Sequence, residues 1–442
     1  MHELDRRSFM KTSLSGAGAA LAFGPNWSRR LEASDANNGP PQLPANKQIG
    51  SIFNSDIDNI FQALSGEKTT PAEYKKAVGH LLDTKPGVLA QNVGMPDPVI
   101  YRTKVATIFE KYYNEVVAAV WGAEAAKVDP AAACMKALLD AGTDPLAITI
   151  EACRERGVPI LASYRMNAED FSGGTLDFYD FGRQHKNLKI PGAHCLDPAH
   201  PEVFQHRMKI FTEVANEYDI DGIEFDFRRW THMVSKPHEN HTVLTRMLRD
   251  TRQMLADVAK KKGRKRLYLG ARVCPTIAGA RVNNTESSCK VIGLDVTTWA
   301  QQGLVDYLCP SFFWGHNPGD DPRTAEFVTL AKETNVGIYP TVFPYSKWQT
   351  ESPEASSIDL DEPDALRRYR DDILNAALKC YAEGADGIST FNWIPHHQPG
   401  MTRRNMRKAW GLGAAQLQMH IHPMLRDESI LKAYLASDVL LP

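Results

Sequence analysis

Three charged residues at spacing two, Glu224, Asp226 and Arg228, stand in the run Ile220-Asp221-Gly222-Ile223-Glu224-Phe225-Asp226-Phe227-Arg228. Period two puts them on one side of a strand and Ile223, Phe225 and Phe227 on the other. An apolar side of that kind packs against helices, so the charged side faces inward. Buried charges cost several kcal/mol each unless paired. Two neighbouring carboxylates raise the pKa of one of them, and a nearby arginine keeps the other ionised. One protonated and one ionised carboxyl near neutral pH is the pair that glycosidic bond hydrolysis requires. Asp226 is therefore expected to be the principal catalytic carboxylate and Glu224 its partner or orienter. The two lie about 6.5–7 Å apart along the strand. An ion-pair ladder inside a barrel is the structural alternative. Asp56, Asp170 and Asp320 are further candidates for a second acid.

The elements that must position this strand follow from the pattern of the chain. Eight β-prone runs occur, at Ile49–Asn54, Val88–Val93, Ile160–Arg165, Gly222–Phe227, Leu267–Val273, Tyr307–Phe313, Val336–Val342 and Gly387–Trp393. Helix-patterned segments separate them, among them 129–142, 201–218 and 364–383. Asp129-Pro130 is expected to cap the first of these. Near-continuous apolar strands alternating with helices predict a parallel sheet covered by helices, and eight units predict a closed (β/α)₈ TIM barrel with loop insertions. No Gly-x-Gly-x-x-Gly opens a helix, which excludes the dinucleotide fingerprint of an open sheet.

In such a barrel the carboxyl ends of the strands carry the active face. Those positions supply Asn54, Asp56, Asn92, Arg165, Asn167, Arg228, Arg272, Trp314, Tyr345, Asn392 and Trp393 as candidate substrate-binding residues. Arg165, Arg228 and Arg272 would grip the substrate, and Trp314, Tyr345 and Trp393 would form stacking walls. Apolar platforms beside fixed polar groups suit sugar rings.

The amino terminus has its own logic. Asp5-Arg6-Arg7-Ser8-Phe9-Met10-Lys11 precedes a mildly apolar stretch from Thr12 to Gly24, the pattern of a twin-arginine export signal, with Ala33-Ser34-Asp35-Ala36 as a cleavage region. Residues 1–36 are thus expected to be a signal peptide, 37–47 a linker, 48–413 the barrel and 414–442 a helical tail. A periplasmic or extracellular location follows as an expectation. The apolar run is too short for a membrane span.

A formal net charge of -2 gives no global steering towards nucleic acid. Seven scattered cysteines contain no Cys-x-x-Cys and favour burial as small hydrophobes over a zinc site. The histidines at 238, 241, 396, 397, 420 and 422 lack metal-like spacing and are expected in solvated loops. The basic run 260–266 is expected to be a solvated helix end. No Gly-x-Ser-x-Gly is present. No metal and no cofactor is expected, and a carbohydrate is the expected partner; nothing in the chain specifies an oligomeric state.

Four segments in order, Ala141-Gly142-Thr143-Asp144-Pro145, Ala162-Ser163-Tyr164-Arg165-Met166-Asn167, Asp221 to Arg228 and Gly293-Leu294-Asp295-Val296-Thr297-Thr298-Trp299, resemble the bacterial glycosyl hydrolase-like 10 group over roughly residues 48–400. The resemblance implies a (β/α)₈ barrel and glycosidase-type chemistry. The fourth strand also resembles the Asp-Gly-x-Asp-x-Asp-x-Glu strand of chitinase-type barrels. Glu224 and Asp226 match its two inner acids, and Arg228 stands where that pattern has its terminal Glu. An arginine there is suited to a carboxylate or sulfate on an acidic sugar. The sequence thus points to an exported glycoside hydrolase. A non-catalytic glycan-binding barrel and a metal-dependent hydrolase are the alternatives.

Overall fold

The structure, a computed structural model, describes residues 41–440 apart from 57–59, 62–63, 65, 116–117, 119–122, 124–129, 168–178, 229–230, 280–286, 313–322, 345–361, 392 and 394–411. Among the described residues the strands are β1 (Ser51–Ser55), β2 (Val88–Gly94), β3 (Ile160–Arg165), β4 (Gly222–Asp226), β5 (Tyr268–Val273), β6 (Tyr307–Pro310), β7 (Gly337–Ile338), β8 (Thr341–Val342) and β9 (Ile388–Phe391). All pair in parallel, in the order β7-β6-β5-β4-β3-β2-β1-β9-β8. The two ends of that order, β7 and β8, are consecutive pieces of one strand broken at Tyr339-Pro340. The order therefore returns to itself, and eight strand positions close a (β/α)₈ barrel. Pro340 has no amide hydrogen to offer the ladder, which explains why the strand is split there.

The helices lie between the strands in sequence: α1 (Pro71–Leu82), α2 (Ala131–Asp140), α3 (Pro145–Arg156), α4 (Asp180–Gln184), α5 (Pro201–Glu217), α6 (Pro237–Lys261), α7 (Val296–Gln301), α8 (Thr324–Ala331) and α9 (Pro363–Ala382). Two more, α10 (Leu412–Ile421) and α11 (Glu428–Leu435), follow the last strand. Local chemistry sets their ends. Thr70 and Glu73 form a reciprocal capping box at α1. Asp144 caps α3 ahead of Pro145, and Gly157 ends it with φ +64°, a conformation that costs glycine nothing. At α2 the cap differs from expectation: Pro130 is itself the N-cap, without a side-chain hydrogen bond.

Strand alternation divides the core. Outward residues such as Phe53, Leu89, Ile223, Phe225, Leu269 and Leu308 pack against the helices. Inward, Ile52, Val88, Leu161, Tyr268, Tyr307, Cys309 and Tyr339 fill the barrel axis. The amino-terminal mouth is sealed by residues 43–47. Leu43 packs on the axial cluster, Pro44 O accepts from the Tyr268 hydroxyl, and Asn46 O accepts from the Tyr339 hydroxyl at 2.6 Å.

The basic run before β5 is a solvated helix end only in part: Lys260, Lys261 and Lys265 are exposed, whereas Lys262, Arg264 and Arg266 are half-buried and paired. Arg264 is ion-paired with the fully buried Asp221 and donates to Ile220 O at 2.8 Å. Lys262 donates to Tyr218 O at 2.6 Å, and Arg266 pairs with Asp306. Carboxylates and carbonyls from three neighbouring segments converge on these three side chains and draw them inward. His422 is a second correction: it is fully buried between Phe53 and Trp393, with burial pushing its imidazole down to about 3. His396 and His397 lie outside the described residues.

Candidate active site

Register brings the charged side chains together. Arg165, Asp226 and Arg272 are directly paired across β3, β4 and β5. One row deeper, Asn92, Ser163, Glu224, Gly270 and Tyr307 are paired across β2 to β6. The inner face of β4 is therefore charged at both levels, as its period-two pattern predicts.

Asp226 is clamped through both oxygens. Oδ1 accepts the backbone N–H of Arg228 at 2.8 Å, and Oδ2 accepts Nη1 of Arg272 at 2.9 Å. Arg272 is in turn fixed on all sides. Its Nε donates to Ser311 Oγ at 3.1 Å, and its guanidinium lies 3.7 Å from the centre of the Phe391 ring. A carboxylate held in this way keeps one orientation and needs no reorganisation to meet a developing positive charge.

Glu224 lies beneath it, with no exposed surface. Ser163 Oγ donates to its Oε1 at 2.9 Å and the Tyr307 hydroxyl to its Oε2 at 2.8 Å. Burial, then the charge of Asp226, pushes the Glu224 carboxyl up to about 7, against the pull of these two donors. Tyr307 reaches Glu224 across β5 because Gly270 has no side chain: a Cβ there would sit 2.0 Å from the tyrosine ring. Burial and the Glu224 charge hold the Tyr307 phenol well above its usual range, so it stays a donor.

The remaining predicted residues divide into groups. Asp56 and Arg165 form an ion pair at the ends of β1 and β3. Asn54 donates to Ser389 Oγ at 2.9 Å. Asn92 is buried with its Oδ1 matched by no donor among the described residues. Asn167 is buried, with Nδ2 3.5 Å from His232 O. Trp314, Tyr345 and Asn392 lie outside the described residues, as do Asp170 and Asp320.

Three expectations change. Arg228 is fully buried and donates from Nε to Ser311 O at 2.7 Å; it ties β4 to the end of β6 instead of reaching towards a ligand. Arg272, also fully buried, is committed to Asp226. Both are positioning residues, because the barrel wall offers acceptors closer than the mouth. Trp393 is 1% exposed and donates from Nε1 to Val342 O at 2.9 Å, its ring against His422, so it belongs to the packed layer and is no stacking wall. Phe391 and Phe343 hold aromatic positions beside Arg272 that the sequence reading missed. Alternation from Ser389 marks Phe391 as inward, which was the available signal.

The deciding motif, an acid pair on the inner face of β4 flanked by Arg165 on β3, lies within one matched stretch. Residues 98–243 match the sequence profile of the glycosyl hydrolase-like 10 family. The stretch holds three of the four resembling segments, including β3 and β4; the segment at 293–299 lies beyond it. This is the family that the sequence resemblance indicates, over a shorter span. No curated protein sequence matches the chain.

Similar solved structures include the PgaB (BpsB) glycoside hydrolase domain from Bordetella bronchiseptica, at 11% identity and TM-score 0.44, covering 78% of this chain and 94% of that one. A family GH18 chitinase from Cycas revoluta in complex with allosamidin aligns at 9% identity and TM-score 0.43, over 86% and 99%. The alpha-L-fucosidase isoenzyme 2 from Paenibacillus thiaminolyticus aligns at 13% and TM-score 0.40, over 87% of this chain and 49% of that one. Among the described residues no three His, Cys, Asp or Glu side chains are grouped to hold a metal ion. No described helix is long and apolar enough to cross a membrane.

Proposed function

We propose that this chain is an exported glycoside hydrolase acting on an oligosaccharide or polysaccharide, with Asp226 as its principal catalytic carboxylate. The observation that carries the reading is the two-storey acid pair of β4. Asp226 is oriented by Arg272 and the Arg228 amide, above a Glu224 whose carboxyl is pushed up to about 7. In this reading Asp226 stabilises or attacks the developing oxocarbenium centre, and Glu224 sets its orientation and local charge. The second acid would come from Asp56, Asp170 or Asp320. The match to the glycosyl hydrolase-like 10 family supports the reaction class. The twin-arginine pattern at Arg6-Arg7 supports a periplasmic or extracellular location, with residues 1–36 removed. An acidic or sulfated sugar remains part of the proposal through Arg165, which stands beside Asp226 in register, if the substrate displaces its partner Asp56.

The test is hydrolysis of a panel of neutral, uronic and sulfated polysaccharides by the full chain and by Asp226→Asn. The variant should lose activity by about a hundredfold or more on whichever glycan the wild type cleaves. Unchanged turnover by the variant would remove Asp226 from the mechanism.

One observation favours a second reading, a glycan-binding barrel without catalysis. Asp226 and Asp56 are both engaged by protein cations. On that reading no panel member is cleaved, while at least one binds and Asp226→Asn changes its affinity.

A further inference from the structure

All seven cysteines are buried and none is in a disulfide, and two of them lie side by side. Cys274 follows β5 directly, and Cys289 opens the single helical turn Lys290–Ile292. The backbone clasps them together: Cys289 N donates to Thr276 O at 3.0 Å, and Lys290 N to Ile277 O at 3.0 Å. The Cys289 Sγ lies 3.9 Å from Cys274 O, which sets the two side chains against one another. The Arg228 Nη1 stands 3.8 Å from Cys274 Sγ.

We propose that Cys274 and Cys289 are a dithiol pair that closes to an intramolecular disulfide under oxidising conditions, tying the end of β5 to the turn at Lys290–Ile292. The step is a two-electron oxidation: both S–H bonds break, one S–S bond forms, and the two hydrogens pass to the oxidant. That oxidant is the disulfide of an exchange partner, which leaves as two thiols, or an azo compound, which leaves as the hydrazine. The proposal is independent of the glycosidase reading and needs no catalytic assignment.

The location gives the bond a consequence. Arg228 ties its side chain to Ser311 O and Cys274, and its backbone N–H to Asp226. A disulfide would pin one of the walls around that arginine. Burial pushes the Cys289 thiol well above its usual range, although the Arg228 charge draws it down. The Cys289 thiol is therefore protonated and slow to react while it stays buried. Closing the loop by a covalent bond restricts the unfolded chain and should raise the thermal midpoint by a few degrees.

The experiment treats the purified full chain with diamide over a time course, with and without urea below the unfolding midpoint so that the buried thiols become accessible. The protein is then denatured, alkylated with a maleimide and mapped by mass spectrometry. Five alkylatable thiols in place of the seven in the untreated chain, with one linked peptide joining Cys274 to Cys289, are the expected result. The thermal midpoint should rise and return on reduction. In Cys289→Ser the remaining six thiols should all stay alkylatable. Seven reactive thiols at the end of the urea time course, or a link through any other cysteine, would overturn the proposal.

Discussion

The two mouths of the barrel both carry buried aspartates and arginines, yet they are built differently. At the amino-terminal mouth Asp221 and Asp306 are saturated. Asp221 accepts Arg154 Nη1 at 2.7 Å and the Ile160 amide at 2.8 Å, and pairs with Arg264 as well. Asp306 accepts the Leu269 amide at 2.7 Å and Arg252 at 2.5 Å, and pairs with Arg266. Each of these two aspartates has a backbone amide and two arginines. At the carboxyl-terminal mouth Asp226 has, among the described residues, one amide and one arginine, with a second carboxyl directly beneath it, and the row of Glu224 holds the buried Asn92 Oδ1 without a donor among those residues. Charge is neutralised at one end for holding the strands, and left in tension at the other. Perturbed groups of the second kind gather where chemistry is done.

Paired substitutions separate these roles. Asp226→Asn should remove about two or more powers of ten from glycan turnover and cost only about 1–2 kcal/mol of stability, because relief of Glu224 offsets the lost attraction to Arg272. Asp221→Asn should do the opposite. It leaves two arginines facing a neutral amide in a buried site and should cost about 3–5 kcal/mol in urea unfolding. Equal stability losses in the two variants would erase the distinction between the mouths.

The next effect is in pH dependence. The Glu224 carboxyl is raised to about 7 in the folded chain from an ordinary value of 4.5, so folding favours its protonated form. Its contribution is fully present below about pH 4.5 and is lost as pH rises through about 7. Urea midpoints measured from pH 5 to 8 should therefore fall with pH more steeply in the wild type than in Glu224→Gln, by up to about 1 kcal/mol per pH unit. Parallel profiles would show that Glu224 does not carry this charge. Smallest of all is Asp219→Ala. Asp219 holds Arg154 at 2.9 Å and Arg264 at 3.3 Å, but its side chain is 49% exposed, so screening leaves less than about 1 kcal/mol.

These contrasts also mark what a sequence can reveal. Alternation along β4 disclosed that Glu224 and Asp226 face inward, and eight apolar runs disclosed the barrel, because both signals are local and periodic. The clamp on Asp226 was half legible: Arg272 was visible at a strand end, but its direction depends on cross-strand register, which one chain does not spell out. Arg228 was misjudged for the same reason. Its long side chain finds Ser311 O and Cys274 on neighbouring strands before it reaches the mouth. Arg264 and Arg266 looked solvated because their partners, Asp221 and Asp306, are about 40 residues away in sequence. Tyr307 was invisible as a partner of Glu224, since its reach depends on the missing side chain of Gly270 two strands' width across the wall.

The broken strand at Tyr339-Pro340 has a consequence for motion. Around most of the barrel, ladders of four or five paired residues join neighbours, but at this seam each side is held by a two-residue ladder with single bonds from Tyr339 N and to Pro340 O around it. Fewer bonds must break for the wall to part here than anywhere along β3, β4 and β5. Native-state hydrogen exchange should accordingly reach the amides of Gly337, Ile338, Tyr339, Thr341 and Val342 first and those of β4 last. The cylinder would then breathe by unzipping at one line, on the side away from its acid pair, while the wall that orients Asp226 stays shut.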